Sequence, residues 1–298
     1  MNRRKVVEAI TALTAGSMLG ACSSQDGSIT SNNSTSMKKT PMKLSASQIN
    51  HSVCQWCYSG MPIEELVDHC KDMGIQSVEL LSPNDWDIAL LRGLTCAISN
   101  GSSLGIPKGL NDRRHHNQIQ KEIMDIIPQA ADKGIPSIIC FSGNRNGVSD
   151  ELGMDICARG LEPITKMAEK YNVQIIMELL NSKVDHKDYM CDHTSWGTSL
   201  VKKVGSSNFK LLYDIYHMQI MEGDIIRTIK DNYQYIGHYH TGGVPGRNEI
   251  DETQELYYPA IMKAIVDVGY KGYVAQEFIP SRDDNMASLR QGVEICNV

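Results

Sequence analysis

Short apolar runs alternate with longer helical segments from Leu44 to the C-terminus, and this alternation limits the possible folds more than any other property of the sequence. The runs are rich in β-branched residues, which is typical of parallel strands covered on both faces. Strands are predicted at Ile49–Cys54, Ser77–Leu81, Thr95–Ser99, Ser137–Phe141, Gln174–Glu178, Lys210–Asp214, Tyr235–His240 and Gly272–Glu277. Helices are predicted at Pro62–Met73, Asp85–Arg92, Arg114–Lys133, Leu152–Tyr171, His193–Val204, Asp224–Asn232, Pro259–Val268 and Asp284–Cys296.

One phrase recurs along the chain: a helix, a glycine, an apolar residue and then a strand. It occurs at Gly74, Gly134 and Gly269, where glycine suits the position just after a helix. Eight such units in roughly 255 residues match a (β/α)8 barrel in number and size. A doubly wound open sheet is the alternative, but it usually carries a glycine-rich phosphate turn after its first strand, and the sequence has none there. We therefore predict an α/β fold with a single TIM barrel over residues 44–298.

Four acidic or imidazole side chains end four successive predicted strands, at Glu178, Asp214, His240 and Glu277. A single acid at a strand end is often a helix cap or an ion-pair partner. The repeated position favours another interpretation, because a parallel barrel brings its strand ends together at one mouth. Three carboxylates and one imidazole that converge there suit a divalent cation. The ends of the first four predicted strands carry no acid, since they are Cys54, Leu81, Ser99 and Phe141.

The N-terminus has the pattern of an export signal. Arg3 and Arg4 form a basic start, and a short apolar stretch leads to Leu19-Gly20-Ala21-Cys22, which resembles a bacterial lipobox. We expect a lipoprotein signal peptide over residues 1–21, a lipid on Cys22 and a membrane-anchored protein on the periplasmic side. The arginine pair suggests twin-arginine export. A disordered N-terminus with a chance cysteine is the alternative. Residues 22–43 are polar and predict a flexible tether.

Charge and cysteine content exclude other classes. The formal net charge is −6, which argues against a nucleic-acid surface. Nine cysteines are present, and Cys54 and Cys57 have the spacing of a redox pair. That pair does not open a thioredoxin-like helix, so the cysteines of the barrel are predicted to be unpaired thiols that pack as small apolar groups.

From about Ile49 to the end, the chain resembles the xylose isomerase-like superfamily of barrels, which includes sugar epimerases and abasic-site endonucleases. The segments that carry the resemblance look like the hydroxypyruvate isomerase branch, and they are residues 177–183, 213–217, 240–250, 257–259 and 276–280.

This resemblance implies a role for the four strand-end residues. Glu178, Asp214, His240 and Glu277 would bind Mg²⁺, Mn²⁺ or a similar ion, and Glu178 and Glu277 would also act as an acid/base pair on opposite faces of the substrate. In the same reaction His217 would bind or polarise a substrate oxygen and Arg247 would grip a carboxylate, while Lys183 lies just after Glu178 and could line the mouth. Without the resemblance, Arg247 is equally consistent with a solvated loop charge.

The implied reaction interconverts hydroxypyruvate and tartronate semialdehyde by proton transfer through a metal-stabilised enediolate. A ketose 3-epimerase or an aldose–ketose isomerase acting on a free sugar is the alternative, because histidine at the third ligand position resembles the ketose epimerases. An abasic-site endonuclease needs three zinc ions and more ligands than these strand ends supply. A non-catalytic sugar-binding lipoprotein is the last alternative. The expected partner is a small hydroxy-keto acid or sugar, and a homo-oligomer is compatible with the sequence.

Overall fold

Each predicted apolar run forms a parallel strand in the computed structural model, which describes residues 47–298. The strand ends differ from the predicted ones by at most three residues, and only the fifth strand has both predicted bounds. The strands are β1 (Asn50–Cys54), β2 (Ser77–Glu79), β3 (Ile98–Ser99), β4 (Ser137–Cys140), β5 (Gln174–Glu178), β6 (Phe209–Asp214), β7 (Ile236–Thr241) and β8 (Tyr273–Gln276).

The sheet curls into a nearly closed barrel. Its strand order is β2-β1-β8-β7-β6-β5-β4-β3, so the first and last strands of the chain pair with each other, as His51 does with Val274. Isolated parallel bridges between Ser77 and Thr95 and between Leu81 and Ser99 join the two ends of this order. The prediction of a (β/α)8 barrel is confirmed for the described residues, and the open-sheet alternative is wrong.

Helices connect the strands, and glycine ends the first long ones. Gly74 and Gly134 cap α1 and α3 with φ angles of 85° and 70°, a left-handed conformation that glycine adopts without a side-chain clash. The helices are α1 (Ile63–Met73), α2 (Trp86–Leu90), α3 (Arg113–Lys133), α4 (Asp150–Tyr171), α5 (Thr194–Val204), α6 (Ile215–Met221), α7 (Ile225–Asn232), α8 (Tyr258–Asp267) and α9 (Asn285–Cys296). Helix α6 was not predicted.

The interior of the barrel has an apolar part and a polar part. Ile98, Ile139, Ile176 and Leu212, from the adjacent strands β3 to β6, form a buried cluster apart from the main core. The strands β1, β2 and β7 instead bring polar groups to the interior. These groups contact one another and are buried, and they are Cys54, Glu79, His238 and His240. This asymmetry places these four groups on one side of the barrel interior.

The predicted signal peptide (residues 1–21), Cys22 and the tether (residues 22–43) lie outside the described residues, so export, lipidation and the start of the domain at residue 44 stay predictions. Within the described residues, no helix has the length and apolar character needed to cross a membrane. All eight cysteines of this part of the chain are unpaired, as predicted, and Cys57 alone among them is not fully buried.

Glu249 joins the loops that follow β7 and β8 above the barrel mouth. Its Oε1 accepts hydrogen bonds from the Ser281 backbone N–H at 2.9 Å and the Ser288 hydroxyl at 2.8 Å. Its Oε2 accepts from the Ser281 hydroxyl at 2.8 Å. Burial opposes ionisation of this carboxyl, but the hydrogen bonds lower its pKa to about 2. The carboxylate therefore fixes the loop that carries Arg247 against the segment after Glu277.

The Glu249→Gln variant should lose about 2 kcal/mol of unfolding free energy at pH 7, because a neutral amide cannot replace charge-assisted hydrogen bonds. The folded-state pKa lies below the ordinary 4.5, so the stabilisation is complete above that pH and is lost as the pH falls toward 2. Urea denaturation at a series of pH values should show a steeper acid loss for the wild type. Parallel pH profiles for the two proteins would contradict this role.

Candidate active site and metal centre

Four predicted ligand groups meet at the barrel mouth. Glu178 ends β5, Asp214 ends β6, His240 lies one residue before the end of β7, and Glu277 directly follows β8. One side-chain atom from each of the four lies within 4.8 Å of the corresponding atoms of the others, and all four residues are buried. The convergence expected from the strand-end positions is present, and it leaves three carboxylates in one small volume.

The electrostatics of this cluster are unfavourable without added positive charge. Burial, with the neighbouring charge of Glu277, raises the pKa of Glu178 above its ordinary value, and burial raises the pKa of Asp214 further. Burial acts the same way on Glu277, but the charges of His240 and Arg247 hold its pKa well below the usual range. Three carboxylates cannot all ionise cheaply in a dry site, so the protein electrostatics alone favour a bound cation.

The donor set fits a divalent ion. The Glu178 Oε1 atom is buried and has no hydrogen-bond partner in the described structure, which is costly for a carboxylate unless another group satisfies it. His240 Nδ1 lies 2.7 Å from Glu277 Oε2 and 3.6 Å from Glu178 Oε1, so this nitrogen faces the carboxylates. Carboxylate oxygens with one imidazole suit Mg²⁺, Mn²⁺ or a similar ion. Glu178, Asp214, His240 and Glu277 could hold it.

Arg247 is part of the site and not a solvated loop charge, so that alternative is wrong. Its side chain is 12% exposed, and Nη2 lies 2.6 Å from Glu277 Oε2 and 3.3 Å from Asp214 Oδ2. The guanidinium lies 5.1 Å and 5.2 Å from the ring centres of Trp56 and Tyr216. The two aromatic rings pack against the faces of the planar guanidinium, and the N–H groups at its edge stay available for hydrogen bonds.

Trp56 belongs to the wall of the site and also contacts an acid. Its indole Nε1–H donates a 2.8 Å hydrogen bond to Glu277 Oε1. With Arg247 on the other oxygen, the Glu277 carboxylate is held from both sides.

His217 is held in one tautomer by Asn181. The Asn181 Oδ1 atom accepts from the backbone N–H groups of Val184 and Asp185, at 3.0 Å and 2.9 Å, which fixes the orientation of the amide. Asn181 Nδ2 then donates to His217 Nδ1 at 2.7 Å. Burial and the charge of Arg247 lower the pKa of His217 well below its usual range, so the ring is neutral. The ring proton is therefore on Nε2.

The Nε2–H group of His217 points toward the metal-ligand cluster. It lies 3.6 Å from Asp214 Oδ2 and makes no hydrogen bond within the described residues. Helix α6 places it there, because Asp214 ends β6 and its Oδ1 also accepts from the His217 backbone N–H at 3.1 Å. A buried donor without a partner beside the cluster suits the binding of a substrate oxygen.

Lys183 has a different environment from the one predicted. Its Nζ donates to the carbonyl oxygens of Ile220 and Met221, at 3.0 Å and 2.9 Å, at the end of α6. Lysine often satisfies carbonyl groups at a helix C-terminus in this way. Lys183 is not among the residues that line the cavity at the mouth. The structure therefore gives it a structural contact, and its role in substrate binding stays a prediction.

Glu79 is an ionisable residue of the barrel interior that the sequence analysis missed. The second strand was predicted to end at Leu81, but β2 ends at Glu79, whose side chain is fully buried. Its Oε1 lies 2.8 Å from His240 Nε2 and 3.0 Å from His238 Nε2. The expectation that no early strand ends in an acid is wrong for β2. An acid within the apolar run 77–81 was the signal that could have revealed it.

A cavity of about 500 Å³ opens above the cluster. Glu178, Glu277, Arg247 and His186 contribute its polar side. The rest of its lining is mostly apolar, and it includes Trp56, Leu80, Ile106, Ile139, Phe141 and Leu180. A volume of this size with few convergent polar groups is typical of a small-molecule site.

A (β/α)8 barrel with its ionisable groups at the C-terminal ends of the strands is a common enzyme architecture. The sequence matches the family model described as xylose isomerase-like TIM barrel over residues 57–297, and the chain belongs to this family.

Several curated relatives are similar over part of the chain. Hydroxypyruvate isomerase of Escherichia coli is 28% identical over 218 residues, which cover 70% of this chain and 84% of that protein. The 2-oxo-tetronate isomerase of Cupriavidus necator is 34% identical over 38% of this chain and 43% of its own length. D-psicose 3-epimerase of Ruminiclostridium cellulolyticum is 34% identical over 38% and 37%. The chain spans about 40% of the length of the first curated relatives that it matches.

Solved structures share the fold. An AP endonuclease of family 2 from Brucella melitensis superposes with a TM-score of 0.73 at 22% identity, over 83% of this chain and 97% of that one. D-psicose 3-epimerase with D-tagatose from Clostridium cellulolyticum H10 gives a TM-score of 0.68 at 18% identity, over 84% and 100%. At these identities the similarity concerns the barrel and not the reaction.

The Asp214→Asn variant tests whether the cluster holds a cation. The amide keeps an oxygen for the His217 backbone N–H but removes one anionic ligand. Mn²⁺ should raise the melting temperature of the wild type. Loss of a residue that only hydrogen-bonds to a metal ligand typically weakens metal binding about 10- to 100-fold, and loss of the ligand charge in Asp214→Asn should weaken Mn²⁺ binding further than that. Calorimetric titration and thermal unfolding measure both effects. The control Glu162→Gln, at an exposed position on α4, should keep its Mn²⁺ response, and equal affinity of Asp214→Asn and the wild type would contradict the site.

Proposed function

We propose that this protein is an intramolecular isomerase that moves a proton between adjacent carbons of an α-hydroxy carbonyl substrate, with hydroxypyruvate as the model substrate. The observation that carries the proposal is the pair Glu178 and Glu277 beside one cation-binding cluster at the floor of a substrate-sized cavity. Membership of the xylose isomerase-like family supports it, as do the relatives named as isomerases.

The reaction requires one group to remove a carbon-bound proton and one to return it. From hydroxypyruvate, a proton leaves C3 and the electron pair forms the C2–C3 double bond of an enediolate. A proton added at C2, with transfer of the hydroxyl proton from the C3 oxygen to the C2 oxygen, gives tartronate semialdehyde. Glu178 and Glu277 lie on the floor of the cavity, where each can exchange a proton with substrate carbon. A bound divalent ion supplies electrostatic stabilisation of the negative charge that develops on the substrate oxygens.

The remaining residues orient the substrate. His217 presents its Nε2–H to a substrate oxygen, and the hydrogen bond from Asn181 keeps that proton in place. Trp56 holds the Glu277 carboxylate through its indole N–H. Arg247 Nη2 lies next to the Asp214 and Glu277 carboxylates. When the oxygens of these carboxylates bind an ion, N–H groups of the guanidinium are left to donate to a substrate carboxylate, and hydroxypyruvate carries one.

Replacing the acid/base pair should stop proton transfer. Glu178→Gln and Glu277→Gln should each slow the exchange of the substrate C–H proton with solvent deuterium by about 10²- to 10⁴-fold, measured by proton NMR at saturating Mn²⁺. The exposed Glu162→Gln change on α4 is a matched control that should leave the rate unchanged. An unchanged exchange rate in both cluster variants would overturn the proposed chemistry.

A ketose 3-epimerase is the second candidate, and the cavity favours it. About 500 Å³ is more room than a three-carbon acid fills, and the apolar wall offers contact area for a longer chain. Glu178 and Glu277 would then act on opposite faces of one carbon. The partial similarity to D-psicose 3-epimerase also supports this candidate.

Arg247→Lys should separate the two candidates, because lysine keeps the charge but loses the paired N–H donors. With hydroxypyruvate we expect KM to rise roughly 10- to 100-fold, as charged hydrogen bonds of about 1.5–3 kcal/mol imply. With a neutral ketose we expect little change in KM. Product analysis over a panel of hydroxypyruvate and free ketoses supplies the measurement. Turnover of ketoses without turnover of hydroxypyruvate would favour the epimerase.

A further inference from the structure

Glu79 lies below the cation-binding cluster, on the far side of His240. Its carboxylate is fully buried in the barrel, although a buried charge is costly unless it is paired. Its Oε1 is 2.8 Å from His240 Nε2, whereas the other ring nitrogen, Nδ1, is 2.7 Å from Glu277 Oε2. One ring thus connects an interior carboxylate to the cluster at the mouth.

This contact determines which nitrogen of His240 can bind an ion. A carboxylate oxygen can only accept a hydrogen bond, so a short contact to Nε2 requires the ring proton on that nitrogen. The 2.7 Å contact of Nδ1 with Glu277 Oε2 places a proton on Nδ1 as well, and an ion that binds Nδ1 takes the place of that proton while Glu79 keeps the one on Nε2. Without Glu79, the ring could carry its proton on Nδ1, where it would donate to Glu277 and could not coordinate.

The other groups around His240 do not fix this tautomer. The Cys54 Sγ atom is 3.7 Å from Nε2, and a thiol can donate or accept. His238 packs edge-on against the His240 ring at 5.2 Å between centres, and its own Nε2 lies 3.0 Å from the same Glu79 oxygen. The same Glu79 oxygen therefore faces both histidines, and among the described residues Glu79 is the one carboxylate at this end of the His240 ring.

We propose that Glu79 is a positioning residue that holds His240 in the Nε2–H tautomer and so prepares Nδ1 to bind a divalent cation. The inference rests on the proposed function, because it requires an ion in the cluster at the mouth. An outer partner that accepts from a metal-binding histidine typically contributes 10- to 100-fold in metal affinity.

The test compares Mn²⁺ affinity, by calorimetric titration, in the wild type, Glu79→Leu and Glu79→Gln. Removing the acceptor in Glu79→Leu should weaken binding about 10- to 100-fold. Glu79→Gln keeps an oxygen acceptor without the charge and should fall between the wild type and Glu79→Leu. Ser52→Ala is the matched control, because Ser52 is also a fully buried polar residue, on β1, and its hydroxyl makes no hydrogen bond within the described residues. It should bind Mn²⁺ like the wild type.

Nitrogen-15 NMR of histidine side chains, in protein loaded with diamagnetic Mg²⁺, reads the tautomer directly. His240 should show a protonated Nε2 in the wild type and should lose that single form in both Glu79 variants, more completely in Glu79→Leu. A role in stability alone would lower the melting temperature and leave this signature unchanged. If Glu79→Leu does not fold, Glu79→Gln still gives both readouts.

The outcomes distinguish the two hypotheses. If the wild type binds Mn²⁺ and the Glu79 variants bind it equally tightly with an unchanged His240 signature, the role of Glu79 is overturned and the proposed function is not. A wild-type protein that binds neither Mn²⁺ nor Mg²⁺ would instead overturn the proposed function. An intermediate affinity for Glu79→Gln, together with loss of the Nε2–H form, supports the positioning role.

Discussion

The repulsion among three buried carboxylates is the interaction on which the rest of the site depends. Glu178, Asp214 and Glu277 are buried within a few ångströms of one another, and burial strengthens the repulsion between like charges. A chain keeps such a cluster only if other groups compensate it. Here the compensation comes from Arg247 and His240 and from the indole N–H of Trp56. A divalent cation would complete it, and the same positive charge is what an enediolate reaction requires.

The barrel and the cluster could be predicted from the sequence because both depend on local patterns. Eight apolar runs separated by helices leave few folds, and a parallel barrel places all strand ends at one mouth. Glu178 and Asp214 directly follow apolar residues, and Glu277 ends a predicted strand in which Gln276 comes just before it, so each was expected at a strand end. Alternation along β7 puts His238 and His240 on one side of the strand, where both lie within 3.0 Å of Glu79 Oε1.

Glu79, helix α6 and the contact of Lys183 were not predicted, and each depends on contacts that the hydrophobic pattern of the sequence does not encode. Glu79 was taken for an interior strand residue, because strand length depends on the bridges that β2 makes with its neighbours. Helix α6 has seven residues, too few to show a clear helical period in hydrophobicity. Its N-cap residue, Asp214, is also the last residue of β6, so no separate cap signal marks the start of the helix. The contact of Lys183 with the end of α6 is tertiary, and no spacing in the sequence encodes it.

Two histidines at the mouth have the same protonated nitrogen but opposite functions. His240 donates its Nε2–H to Glu79 and turns Nδ1 toward the carboxylates, whereas His217 accepts at Nδ1 from Asn181 and turns its Nε2–H toward the same cluster. One ring is therefore arranged to bind a cation and the other to donate to an oxygen. These contacts recognise only a hydroxy-carbonyl unit, which isomerase and epimerase substrates share. Selection among such substrates must then come from other residues that line the cavity, namely the apolar Ile106, Ile139 and Phe141 and the charged Arg247.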